Sequence, residues 1–123
     1  MSTHKDKLLK FYQNNGINEL SKVTGLTIKE LVDLLNLNFK TFEDINFMPH
    51  YEGVAGKIMF ENGYGASVVR HSGSYGGSRG LYELAVLDNN GKLTYDTPIT
   101  EDVIGYLSSE KVTDYLIQIQ YLK

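Results

Sequence analysis

Eight of the twelve glycines in this chain fall between Gly53 and Gly80, a span of 28 residues. Glycine loses more backbone freedom on ordering than any other residue and weakens helix interiors. The segment is therefore read as strands and turns. Lys57–Glu61 and Tyr64–Arg70 flank Asn62-Gly63. Asn-Gly is the strongest short hairpin signal, because a type I′ turn needs positive φ at both central residues. Gly80–Asp88 is apolar on both faces apart from Glu83 and reads as a central strand covered on both sides. Asn89-Asn90-Gly91 then turns the chain into Lys92–Tyr95, completing a four-stranded antiparallel meander.

Helical patterns flank this sheet. Leu8, Leu9, Phe11 and Tyr12 give a first helix an apolar set, and Asn15-Gly16 ends it. Ile17–Thr24 is a short second helix closed by Gly25. Thr27 and Glu30 form a capping box for a third helix, which ends near Asn36. Residues 38–50 are a transition, and Met48-Pro49-His50 is expected to end what precedes it. Beyond Thr97-Pro98, Thr100 is expected to cap a short helix with Glu101 and Asp102 in its first turn. Ser108 or Ser109 caps the last one, where Val112, Tyr115, Leu116, Ile119 and Leu122 keep helical spacing.

The expected fold class is α+β. A helical N-terminal segment, 1–37, precedes a body, 38–123, in which a four- or five-stranded antiparallel sheet packs with two C-terminal helices. A chain of 123 residues is long enough to bury one core without staples. It has no cysteine, which excludes disulfides, a thiolate nucleophile and cysteine-based metal sites, and suits a reducing cytoplasm. No leader-like apolar stretch opens the chain and no run approaches a membrane span, so a cytoplasmic protein with no membrane partner is expected. The net charge is −3, but residues 1–40 carry six lysines against four acids. Residues 41–123 carry six basic residues against eleven acids. This slightly basic head on an acidic body is too small an asymmetry for bulk nucleic-acid binding or strong DNA mimicry.

Residues 20–34 look like a helix-turn-helix unit. Ser21 stands four residues before Gly25, and Leu20, Leu26, Leu31 and Leu34 take packing positions. Under that reading Thr27, Ile28, Lys29, Val32 and Asp33 face DNA, with Thr27 and Lys29 the candidate contacts. The helix offers one lysine, two acids and no Arg, Asn or Gln to read bases, so a compact helical cap is the competing reading.

Arg70–Gly80 is an eleven-residue segment between strands that should pair, where a tight hairpin needs about 2–5. Its arginines, histidine, serines and tyrosine suit binding, and its glycines let a ligand approach the backbone. Neither GxGxxG nor GxxxxGK[ST] occurs. The alternatives are a mobile hairpin tip or strands that run further into the loop. His50, His71, Glu83 and Arg70 are the only residues suited to acid–base work. No nucleophile or metal-ligating spacing accompanies them, so no enzyme, no metal and no cofactor is expected. A cross-strand ion pair between Glu83 and Arg70 is the simpler reading. Tyr51, Tyr64 and Tyr75 sit at turns and are expected to be exposed, which beside arginine is interface chemistry.

From about Phe42 to Val112 the chain resembles small uncharacterised proteins carried by tailed phages and prophages of low-GC Gram-positive bacteria. The resemblance rests on Phe60-Glu61-Asn62-Gly63-Tyr64-Gly65-Ala66-Ser67-Val68-Val69-Arg70, on Ser74-Tyr75-Gly76-Gly77 and on Gly80–Leu87. The run from Tyr95-Asp96-Thr97-Pro98 to Gly105-Tyr106-Leu107 continues it. Short phage proteins of this size include anti-CRISPR proteins, some of which join a helix-turn-helix-like part to an inhibitory part. The resemblance implies an inhibitor of host defence that acts on a CRISPR effector nuclease in the host cytoplasm by protein–protein contact. Tyr64, Arg70, His71, Tyr75 and Arg79 are the expected contact residues, with the acidic C-terminal helices as a second surface. A small DNA-binding regulator and a nucleotide-signal sponge stand as alternatives, and a homodimer as an open one.

Overall fold

The structure is a computed structural model that describes residues 3–100 and 102–122. The chain divides into two compact units, Met1–Phe39 and Lys40–Lys123. The first is three short helices: α1 (His4–Asn15), α2 (Ile17–Thr24) and α3 (Ile28–Leu35). Thr3 and Asp6 cap α1 reciprocally, and Thr27 and Glu30 do the same for α3. Gly25 ends α2 at φ 74°, a left-handed conformation that glycine adopts without steric cost. Ser21 Oγ donates to the Leu26 carbonyl at 2.6 Å and fixes the α2–α3 turn. Ile17, Leu20, Ile28, Leu31, Val32 and Leu35 are buried.

The second unit is a five-stranded antiparallel sheet in sequential order: β1 (Met48–His50), β2 (Gly53–Met59), β3 (Gly65–Arg70), β4 (Tyr82–Leu87) and β5 (Ile104–Leu107). One helix, α4 (Ser109–Gln120), lies on one face. Strand alternation sends Ile58, Ala66, Val68, Leu84 and Val86 to that face, where they form one core with Val112, Leu116 and Ile119. A 3₁₀ turn at Phe42–Asp44 is tied to α4 by a bond from the Phe42 N–H to Thr113 Oγ1, 3.0 Å. Phe42, Phe47 and Tyr82 cluster on the same face in tilted and edge-on contacts, with ring centroids 5.1–5.7 Å apart. At the β2–β3 turn, Asn62 Nδ2 donates to the carbonyls of Ile119 and Leu122, satisfying groups a helix end leaves open.

The α+β class and the antiparallel sheet are as the sequence predicts, but three segments differ. Thr100–Leu107 is not a helix. Thr100 Oγ1 bonds Asp102 locally, in a turn rather than a cap, and Ile104–Leu107 joins the sheet edge as β5. A single C-terminal helix, α4, follows, capped by Ser108. Glu101, placed in that expected helix, lies outside the described residues. Of Lys92–Tyr95, only Leu93 pairs, as an isolated bridge to Leu87. Met48-Pro49-His50 does not merely end an element but forms edge strand β1, a position where a missing N–H is tolerated.

Candidate functional site

The pairing register sets which residues meet. Val54 lies opposite Arg70, and Tyr82 opposite Leu107. The β1–β2 turn, the segment after Arg70 and the start of β5's partner region therefore share one end of the sheet.

The long loop at this end is built from consecutive turns. Ser74 is buried. Its N–H and hydroxyl donate to the His71 carbonyl at 3.0 and 2.8 Å, and its hydroxyl accepts the His71 N–H at 3.0 Å. Gly77 donates to the Ser74 carbonyl, and Gly80 to that of Gly77. A β-carbon on Gly77 would collide with the His71 carbonyl, so only glycine closes this turn. The segment is a series of hydrogen-bonded turns, and the paired strands do not run further into it.

Three external fastenings hold the loop. The Glu52 carboxylate accepts the Ser72 N–H. Hydrogen bonds from Ser72, its side chain first and then its backbone, lower the Glu52 pKa to about 2, with His71 adding a smaller electrostatic contribution. Glu83 Oε1 accepts the Tyr75 N–H at 3.2 Å. The Tyr106 N–H donates to the Tyr75 carbonyl at 3.1 Å.

The expected Arg70–Glu83 ion pair is replaced. Glu83 turns to the loop backbone, while Arg70 donates to Tyr82 Oη at 3.2 Å and lies 5.1 Å from that ring's centroid. His71 does not approach Glu83 as a base would. Its Nδ1 accepts the Gly73 N–H at 3.0 Å, and its ring contacts His50 and Tyr51 at 5.4 and 5.5 Å.

The outward surface is aromatic and cationic. Tyr51 is 82% exposed, Tyr75 59% and Tyr106 58%. The Arg79 guanidinium lies 5.9 Å from the Tyr106 ring centroid. Arg70, His71, Tyr75 and Arg79, all expected from the sequence, lie in or beside this loop, with Arg70 turned to Tyr82, His71 to His50 and Tyr51, and Arg79 to Tyr106. Tyr64 does not. It precedes β3, at the opposite end of the sheet, and packs against the core. Tyr106 follows the acidic stretch that reads as a helix start, and only its place in β5 puts it beside Arg79.

Tyr51 and Tyr106 share a backbone peculiarity. Their φ values are 53° and 58°, in the left-handed region that disfavours bulky side chains. The other non-glycine residue of this kind among the described residues is Asn36, an ordinary helix C-cap.

In the N-terminal unit, Ile28 and Val32 are buried at 6% and 5% exposure and are unavailable to read bases. Thr27 is engaged in its cap, which holds the Glu30 carboxyl below its ordinary range. The DNA-facing set thus loses two of its five members. Lys29, the other candidate, is half-buried.

No group of three or more metal-ligating side chains occurs among the described residues, and no described helix is long and apolar enough to cross a membrane. No family model, curated protein or solved structure matches this chain.

Proposed function

We propose that this chain is a non-enzymatic binding protein of a phage or mobile element that inhibits a host defence system, and that the loop end of its sheet docks the partner. The observation that carries the docking surface is the strain at Tyr51 and Tyr106. A left-handed backbone costs a bulky residue about 1–2 kcal/mol. The rings' contacts, Tyr51 with His50 and His71 and Tyr106 with Arg79, offset part of that cost, yet both rings stay more than half exposed. Strain of this kind accumulates where a side chain must be aimed. Tyrosine and arginine are also the residues that anchor protein interfaces.

A CRISPR effector nuclease is the partner favoured by the phage resemblance. Contact there would cover a nucleic-acid path or block the conformational change that licenses cleavage. With a net charge of only −3, shape-specific contact fits better than imitation of DNA. The cleft beside the loop, lined by Glu52, Arg70, His71 and Ser78, holds about 200 Å³. That is below the roughly 300–1,000 Å³ of small-molecule sites, which at this loop favours a protein partner over a nucleotide signal; clefts of about 410 and 330 Å³ lie away from the loop.

The test is co-purification and DNA-cleavage inhibition against a panel of effectors, with Tyr75→Ala and Arg79→Ala as variants. Capture that both variants weaken supports the reading. Capture unaffected by either moves the surface elsewhere, and no capture or protection by the native chain removes the proposal.

A further inference from the structure

The chain carries three Asn-Gly pairs: Asn15-Gly16, Asn62-Gly63 and Asn90-Gly91. In such a pair the glycine nitrogen can attack the asparagine carboxamide carbon, because no side chain hinders its approach. The three glycine N–H groups are engaged alike. They donate to the carbonyls of Tyr12, Phe60 and Asp88 at 2.8, 3.1 and 2.9 Å. The carboxamides are not alike.

Asn62 is locked. Its Nδ2 donates to Ile119 and Leu122 at 2.9 and 3.0 Å, and its Oδ1 accepts the Tyr64 N–H at 3.2 Å. Turning its carbonyl carbon toward Gly63 breaks all three bonds. Asn15 lies at the helical end of α1, and its Nδ2 donates to the Phe11 carbonyl at 3.1 Å. Asn90 is exposed at the tip of its turn, and its carboxamide makes no hydrogen bond to another described residue.

We infer that Asn90 is a site of spontaneous covalent modification, and that the fold protects Asn62 from the same reaction. The Gly91 nitrogen bonds to Asn90 Cγ and loses its proton. The Cγ–Nδ2 bond breaks and ammonia leaves with that proton, closing a succinimide. Water then opens the ring at either carbonyl, giving aspartate or isoaspartate. No oxidant or second protein is needed.

The product acts on the end of β4. A new carboxylate appears beside Asp88, whose Oδ1 already accepts the N–H groups of Asn90 and Lys92 at 2.9 and 3.0 Å. Isoaspartate also adds a methylene to the main chain of the turn that holds the Leu87–Leu93 bridge and the Thr94 N–H to Val86 carbonyl bond. The same turn borders Tyr64 and Asn62 across a cleft of about 330 Å³.

The experiment ages the full-length protein at mildly alkaline pH and follows each Asn-Gly peptide by mass spectrometry, once folded and once in urea. In the folded protein Asn90 reacts first and Asn15 follows. Asn62 lags Asn90 by on the order of a hundredfold, the effect of having to break its side-chain bonds. In urea the three rates converge, since the dipeptides are identical. Equal rates at Asn62 and Asn90 in the folded state, faster loss at Asn15 than at Asn90, no reaction at Asn90, or an Asn90–Asn62 gap that survives urea would each overturn the inference.

Discussion

The backbone N–H of Tyr106 donates to the carbonyl of Tyr75 across 3.1 Å, fastening the long loop to the edge strand β5. The contact is close because the residue before Tyr106 is Gly105, whose missing side chain leaves room for Tyr75. A β-carbon there would strike the Tyr75 β-carbon. Gly105→Ala is expected to lower stability by about 1–3 kcal/mol, the usual effect of overpacking. A urea midpoint that does not fall would show that the loop yields without cost.

Strain and contact separate at Tyr51. It is almost fully exposed and lies in the left-handed region, so Tyr51→Gly loses its ring contacts with His50 and His71 but also loses the strain. Stability is expected to stay within about 1 kcal/mol of the native chain. Partner capture is expected to weaken by about 2 kcal/mol, as for an interface anchor. Thermal unfolding and binding measured on one preparation check both halves.

Acid should loosen the loop. Ser72 lowers the Glu52 pKa from 4.5 to about 2. A carboxyl whose folded pKa is depressed stabilises the fold fully above its unfolded value. That contribution fades as pH falls from about 4.5 toward 2. Glu52→Gln removes it, so over that window the native chain should lose stability more steeply than the variant. Parallel pH profiles in chemical denaturation would contradict this.

Thr113 is 1% exposed, and its hydroxyl oxygen accepts the Phe42 N–H. Valine has the same shape without that oxygen. Thr113→Val is therefore expected to cost about 1–3 kcal/mol by leaving the Phe42 N–H without its acceptor. Thr113→Ser keeps the oxygen and should lose less. Equilibrium unfolding of the two variants side by side distinguishes the hydrogen bond from the packing.

The elements legible in the sequence are those with strong local chemistry. The Thr27–Glu30 capping box, the Asn62-Gly63 hairpin and the apolar stripe of α4 each depend on neighbours a few residues away. The misread elements are decided at a distance. Ile104–Leu107 has no helical or strand period long enough to recognise, and its acidic lead-in imitates a helix start. It becomes a strand because β4 offers it an edge. The site divides in the same way. An excess of loop between pairing strands points to Arg70, His71, Tyr75 and Arg79. Tyr106 joins them only through the placement of β5, and nothing local to residues 104–107 records that placement. The place of Tyr64 is legible as well: successive turns of an antiparallel meander alternate ends, so the Asn62-Gly63 turn and the Arg70–Gly80 loop fall at opposite ends of the sheet.

The fastenings of the Arg70–Gly80 loop bear on how it would meet a partner. Eleven residues that became ordered only on contact would lose on the order of 10 kcal/mol of conformational freedom at that moment. Here buried Ser74 and the acceptors Glu52, Glu83 and the Tyr75 carbonyl fix most of that freedom during folding. Association would then resemble rigid-body docking. Its heat-capacity change would reflect the apolar area covered, without the larger signature of coupled folding.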